Sequence, residues 1–192
     1  MTPVHIAGKS PNHIYQGFTL LELMLTLAII AVLARLALPA MEFSQRNEAN
    51  RVFTQLTSLL SNARATSIAS HVVTVICPSL DGLKCDSNWT GGAISFVDSN
   101  HDRQRNDDDP LIDVLTWAQG EIHSANIRHG TLRWRAFGNR QSIKIDAFGQ
   151  LSDQNGSFTW CPAAHVSLPP QQMLINSAGR VRYASDNTVE CP

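Results

Sequence analysis

Between Phe18 and Ala40 the chain carries only two ionisable residues, Glu22 and Arg35, in an otherwise apolar run. About 20 such residues in a helix span the hydrocarbon core of a bilayer, so this segment reads as a membrane helix. A carboxylate inside it costs about 2.5–3.5 kcal/mol on insertion scales, which argues for a partner that neutralises Glu22. Arg35 is long enough to carry its charge to the far interface. Whatever lies beyond Pro39 must therefore build its own core outside the membrane.

A secretory signal places a positive region first, an apolar stretch next and a small-residue cleavage site last. Here the order is reversed. Met1 to Gln16 is polar, with Lys9, and the small residue Gly17 precedes the apolar run, so cutting there would leave the helix on the product. The stretch Gly17-Phe18-Thr19-Leu20-Leu21-Glu22 resembles the class III signal of type IV pilins and type II secretion pseudopilins. The resemblance implies that prepilin peptidase cuts between Gly17 and Phe18 and methylates the new amino terminus. Glu22 would then be the fifth residue of the product, meeting the amino terminus of a neighbouring pilin in the filament, where an ion pair tolerates what a lone ion does not. The plainer alternative is a signal anchor with an incidental glutamate.

Removing 17 residues from 192 leaves enough chain for one long helix and a single globular head. The net charge of −1 conceals an uneven distribution. Residues 81–113 hold eight aspartates against Lys84, Arg103 and Arg105, whereas residues 120–182 hold seven basic residues against Glu121, Asp146 and Asp153. A polyanion could be drawn to one side of such a molecule. The cysteines Cys77, Cys85, Cys161 and Cys191 all follow the apolar segment, which fits a domain delivered to an oxidising compartment. Four cysteines allow three pairings, and sequence does not choose among them. Short spacing favours Cys77 with Cys85 across the turn-rich stretch Pro78 to Lys84, leaving Cys161 with Cys191 by elimination. A zinc site would need closer C-x-x-C spacing.

Pro39 should break or kink the helix, since it removes a backbone donor and crowds the preceding turn. Beyond it, Ala49, Val52, Phe53, Leu56, Leu59, Leu60 and Ala63 recur at steps of three and four, predicting an amphipathic helix to about Ser67 with Gln45, Arg46, Glu48, Asn50, Arg51 and Gln55 between the apolar positions. After His71 come short β-branched and aromatic runs separated by turn signals. These predict strands at Val72–Cys77, Ala93–Val97, Leu111–Trp117, Thr131–Phe137, Ser142–Phe148, Ser157–Cys161, Met173–Asn176 and Arg180–Ala184. The fold class is α+β: a long N-terminal helix, transmembrane and then amphipathic, packed against a C-terminal antiparallel β-sheet head. The expected divisions are a cleaved leader (1–17), a transmembrane and filament-core helix (18–40), an amphipathic helix (41–70) and a β-rich periplasmic or extracellular head (71–192).

No set of residues converges as a catalytic site: the histidines are scattered and no serine sits in a nucleophile elbow. The chain reads as a non-enzyme without a cofactor. Asp98 to Asp109 places oxygen side chains at the first, third, fifth and twelfth positions of a calcium-type loop. However, Arg103 stands where the sharp turn calls for glycine and no glutamate closes the loop, so a solvated Asx-rich turn is the better reading.

Gly179-Arg180-Val181-Arg182 is more informative. In an extended segment residues two apart share a face, about 6.6 Å apart, so Arg180 and Arg182 would both face out while Val181 packs inward. Two guanidinium groups so placed could each bond phosphate oxygens, although alternating arginines often mark only the wet side of an edge strand. Arg133-Trp134-Arg135 repeats the spacing. If the two strands were neighbours, the basic surface would hold four arginines, with Arg128, Arg140 and Lys144 as further contributors, and Trp134 would point into the core.

The Gly17 pattern, Cys77 and Cys85, Trp89 and Phe96-Val97-Asp98-Ser99-Asn100 together resemble the FimT/GspH family of minor pilins and pseudopilins. In that family a glycine, arginine, any residue, arginine motif near the C-terminus is associated with FimT-type pilins that bind DNA during natural transformation, and Gly179 to Arg182 fits it. The resemblance implies a subunit anchored in the bacterial inner membrane and then assembled into a type IV pilus. Its partners would be other pilins, prepilin peptidase and the phosphate backbone of double-stranded DNA, held by Arg180 and Arg182 with Arg133 and Arg135 assisting. The alternatives are a pseudopilin of type II secretion and a minor pilin that only primes assembly.

Overall fold

The computed structural model describes residues 19–116, 127, 129–152, 155–164, 168–185 and 191. The chain divides into two units, Met1–Pro39 and Ala40–Pro192. In the first, Thr19 starts the long helix α1 (Leu20–Ser70) as its N-cap: its hydroxyl accepts the N–H of Glu22 at 3.3 Å. All side chains from Thr19 to Arg35, Glu22 included, are exposed. Among the described residues no helix is long and apolar enough to cross a membrane. Gly17 and Phe18, the expected processing site, lie outside the described residues. Pro39 does not end the helix, which continues through it as one element to Ser70.

In the second unit the expected stripe of α1 is the floor of the core. Ala49, Val52, Phe53, Leu56, Leu59, Leu60 and Ala63 are all buried, each larger side chain contributing about 1.5–3 kcal/mol. The stripe is broader than the apolar periodicity suggested, because Gln45 and Glu48 are also buried. A Glu48 carboxylate oxygen accepts the His129 N–H at 3.2 Å.

The head contains two four-stranded antiparallel sheets. One has the order β3-β2-β1-β5, formed by Leu111–Thr116, Gly92–Val97, Thr74–Pro78 and Ile143–Ile145. The other has the order β4-β6-β7-β8, formed by Gly130–Ala136, Gly156–Pro162, Gln171–Ile175 and Val181–Ser185. Each predicted strand has its counterpart, with Trp117 outside the described residues. The largest difference is at β5, which ends at Ile145. There the Asp146 carboxylate accepts the N–H groups of Phe148 and Gln150, both at 2.9 Å, and turns the chain, leaving Phe148 exposed.

The sheets are joined through an aromatic cluster. Phe158 of β6 lies with its ring centroid 4.7 Å from Trp89 and 4.6 Å from Trp134. The Trp89 indole N–H in turn donates to the Gln141 carbonyl, beside β5. The Thr90 hydroxyl closes part of the open edge of β4, donating to the Leu132 carbonyl and accepting the Leu132 N–H. Disulfides join Cys77 to Cys85 and Cys161 to Cys191.

The loop between β2 and β3 uses its aspartates on its own backbone. Buried Asp98 accepts the N–H groups of Asp102 and Arg103, and buried Asp109 those of Ser99 and Asn106. The Gln104 N–H, and then the Asn106 amide, hold the Asp102 carboxyl below the usual carboxylate range. The sharp turn that would call for glycine is made by His101 and Arg103 at φ 64° and 65°. These bonds describe an Asx-rich turn.

Candidate nucleic-acid interface

The arginine motif begins inside the tight connection from β7 to β8. The Gly179 N–H donates to the Asn176 carbonyl at 2.8 Å, and the Asn176 side-chain oxygen accepts the Arg180 N–H at 2.8 Å. Gly179 adopts φ +69°, the left-handed conformation that glycine reaches without a steric penalty. Exposed Arg180 ends the turn, and the chain then enters β8, where half-buried Val181 packs against the core and Arg182 is exposed. On β4 the alternation is the same: Arg133 and Arg135 are exposed, while Leu132 and Trp134 are buried.

β4 and β8 are not neighbours. They form opposite edges of one sheet, separated by β6 and β7. The expectation of a single contiguous patch is corrected accordingly, because β6 pairs with both β4 and β7 and leaves β8 only the far edge. The register nonetheless aligns one arginine of each pair. Arg135 lies opposite Ser157, Ser157 opposite Leu174, and Leu174 opposite Arg182. Directly opposed residues share a face, so Arg135 and Arg182, and Arg133 two residues before Arg135 on β4, belong to the outer face of this sheet, opposite the buried Leu132 and Trp134; Arg180 lies in the turn that leads into β8. β4, β6, β7 and β8 contain no aspartate or glutamate. Lys144 is elsewhere, on β5 of the other sheet, and Arg128 lies outside the described residues. Beside β4, Arg133 and Arg135 also line a cleft of about 590 Å³ with Ser87, Asn88 and Thr90.

One residue of this region was not legible beforehand. Arg64, on α1, donates from Nε to the Gly149 carbonyl at 2.8 Å and from Nη1 to the Gly179 carbonyl at 3.4 Å. A Cβ added at Gly179 would meet the end of the Arg64 side chain at 2.7 Å and displace it from the turn, while the positive φ is what calls for glycine there. Arg64 thus fixes the turn that presents Arg180. The available signal was a charged residue bordering the apolar stripe of α1. Its partners are carbonyls 85 and 115 residues away in sequence, which no local pattern reveals.

Residues 53–182, most of the head, match the family model "Type II transport protein GspH". This chain belongs to the GspH family. Residues 13–34 also match the prokaryotic N-terminal methylation motif, covering Gly17, Phe18 and Glu22. A GspH-family chain carrying that motif is a minor pilin or pseudopilin. Among curated relatives, it is 40% identical over 70 residues to fimbrial protein EcpB of Eikenella corrodens. That match spans 35% of this chain and 43% of EcpB, less than half the length of the relative. Among solved structures, it is similar to the type IV minor pilin FimU of Pseudomonas aeruginosa PAO1 in two crystal forms. The P21 form has 17% identity and a TM-score of 0.49, covering 74% of this chain and 92% of FimU. The P65 form has 14% identity and a TM-score of 0.44, covering 71% and 91%.

Proposed function

We propose that this GspH-family chain is a FimT-like minor type IV pilin that captures extracellular DNA for uptake in natural transformation. The observation that carries this reading is the set of exposed arginines at the β4-β6-β7-β8 sheet: Arg133, Arg135 and Arg182 on the outer face of strands that hold no carboxylate, with Arg180 in the turn that leads into β8. Arginine suits phosphate because its planar fork can make paired hydrogen bonds. Binding through the backbone is insensitive to base sequence, as uptake of any available DNA requires.

The same proposal includes processing and placement. Prepilin peptidase removes residues 1–17, the 18–40 segment holds the subunit in the inner membrane with its head in the periplasm, and Glu22 then meets the amino terminus of a neighbouring pilin as the filament assembles. Glu22 is exposed in the isolated chain, consistent with its being available for that pairing. The intact mass of the subunit from the host is expected to lack residues 1–17 and to carry one added methyl group; retention of the leader would refute the processing step.

The DNA-capture reading is tested with the full-length chain in detergent, titrated with duplex DNA over a range of salt concentrations. Converting Arg180 and Arg182 together to glutamine is expected to weaken binding and to reduce the slope of log K against log salt by about 1.8, at about 0.9 per lost phosphate contact. Absence of binding, or binding unchanged by the double substitution, would sink the proposal. The second reading, a pseudopilin of type II secretion, is favoured by the family model itself, and it expects no salt-dependent affinity for DNA.

A further inference from the structure

Arg133 and Arg135 stand beside an open strand edge. In an antiparallel pair, successive residues alternately bond the partner strand and face away from it. Leu132 of β4 faces away from β6, because its N–H and its carbonyl both meet the Thr90 hydroxyl, at 3.1 and 3.3 Å. Trp134, two residues on, therefore turns its backbone N–H and carbonyl to the same side, where among the described residues no strand pairs with β4. On that side lies the cleft of about 590 Å³, which Thr90, Leu132 and Trp134 line together with Arg133 and Arg135. Its size is within the roughly 300–1,000 Å³ of ligand sites. Its described lining holds two exposed arginines and no carboxylate. At the other end of β4 the outer side is taken, since buried Cys161, opposite Thr131, is bonded to Cys191.

We propose that this cleft docks an extended acidic segment of a partner protein, which adds to the Trp134 edge as a short strand. Thr90 bonds the edge at Leu132 in the way one residue of such a strand would, and the edge continues past it. Strand addition draws its affinity from main-chain hydrogen bonds and its specificity from alternate side chains. In antiparallel pairing, the residue that exchanges hydrogen bonds with Trp134 sets its two neighbours opposite Arg133 and Arg135, on the face those arginines share. The pattern recognised is therefore carboxylate, any residue, carboxylate. Opposite charges directly across a strand pair are stabilising, and like charges there are not, so a basic segment of the same length is refused. The site lies beyond the DNA-capture reading, whose test rests on Arg180 and Arg182 at the far edge of the sheet, and it gives separate roles to two basic pairs that β6 and β7 hold apart.

The probe is a labelled, end-blocked peptide of seven residues with glutamate at its third and fifth positions and threonine elsewhere, titrated by fluorescence anisotropy into the full-length chain in detergent. The expected result is saturable binding that weakens about tenfold when both glutamates become glutamine, and about tenfold when Arg133 and Arg135 together become glutamine. An analogue methylated on its central backbone nitrogen cannot donate to the Trp134 carbonyl and is expected to bind about tenfold more weakly. Converting Arg180 and Arg182 to glutamine is expected to leave peptide affinity within about twofold, because exposed charges at opposite edges are screened from one another. No saturable binding up to about 1 mM peptide would overturn the proposal. So would binding indifferent to the N-methyl group, which is charge attraction without strand pairing. Loss of duplex DNA affinity on changing Arg133 and Arg135, with the peptide unbound, would assign the cleft to nucleic acid and overturn it as well, leaving the DNA-capture reading intact. Unchanged melting temperature verifies that each variant is folded, as expected for exposed positions.

Discussion

Converting Phe158 to alanine is expected to lower the unfolding free energy by about 3–5 kcal/mol, the range for removing a large buried aromatic. Phe158 is 1% exposed and sits between the Trp89 and Trp134 rings. Each aromatic pair adds about 0.5–1.5 kcal/mol beyond area burial, so the upper half of the range is expected. The site has little freedom to collapse. Trp89 is tethered by its indole N–H to the Gln141 carbonyl, and Trp134 is held in register on β4 against Phe158 itself. The cavity would open where the two sheets meet. Leucine at the same position should cost much less, because most of the volume is kept. Denaturant midpoints with an unchanged m-value measure both, and a loss under about 1 kcal/mol for alanine would show that this cluster does not join the sheets.

The second large effect is expected on replacing Cys161 and Cys191 with serine. This disulfide closes a loop with a sequence separation of 30. On the chain-entropy account, closing a loop of that length contributes about 3.5 kcal/mol by restricting the unfolded chain. The bond between Cys77 and Cys85, separated by 8, contributes about 2.5 kcal/mol on the same account. Removing the longer bridge should therefore lower stability more than removing the shorter one. Thermal melts of the two double-serine variants decide the order, and the reverse order would show that local geometry outweighs loop length. The Cys161 variant carries a further consequence, since β7 and β8 both lie inside its loop. Amide exchange should rise in β8, an edge strand with one neighbour, before it rises in β1.

The helix stripe from Ala49 to Ala63 was legible because a period of 3.6 leaves its mark in seven local positions, and so were the eight strand segments, each a short run between turn residues. Their assembly was not. Nothing near Arg133 or Arg182 in sequence states that β6 and β7 will separate them; that order is decided by which buried faces pack on α1, and it comes from residues far apart in the chain. Phe148 looked like the end of a strand because it is aromatic, but Asp146 two residues earlier turns the backbone with its carboxylate. Glu48 looked like part of the wet face of α1, yet it is buried and satisfied by a backbone N–H more than 80 residues away. At the arginine motif the alternation of faces could be read directly from a period of two. Arg64 could not, because its function depends on two carbonyls supplied by separate turns.

Arg64 also determines how the molecule would carry tension. A pull on Arg180 or Arg182 acts on β8, and an edge strand loaded at its end unzips one hydrogen bond at a time. The guanidinium beneath Gly179 offers a second route. It grips the carbonyl of that turn and the carbonyl of the Gly149 turn together, so force entering at the arginines is shared between the two sheets and delivered to α1, a single helix from Leu20 to Ser70. If the arginines bear a load as proposed, that load would fall on the helix that floors the head, and β8 would be spared from peeling.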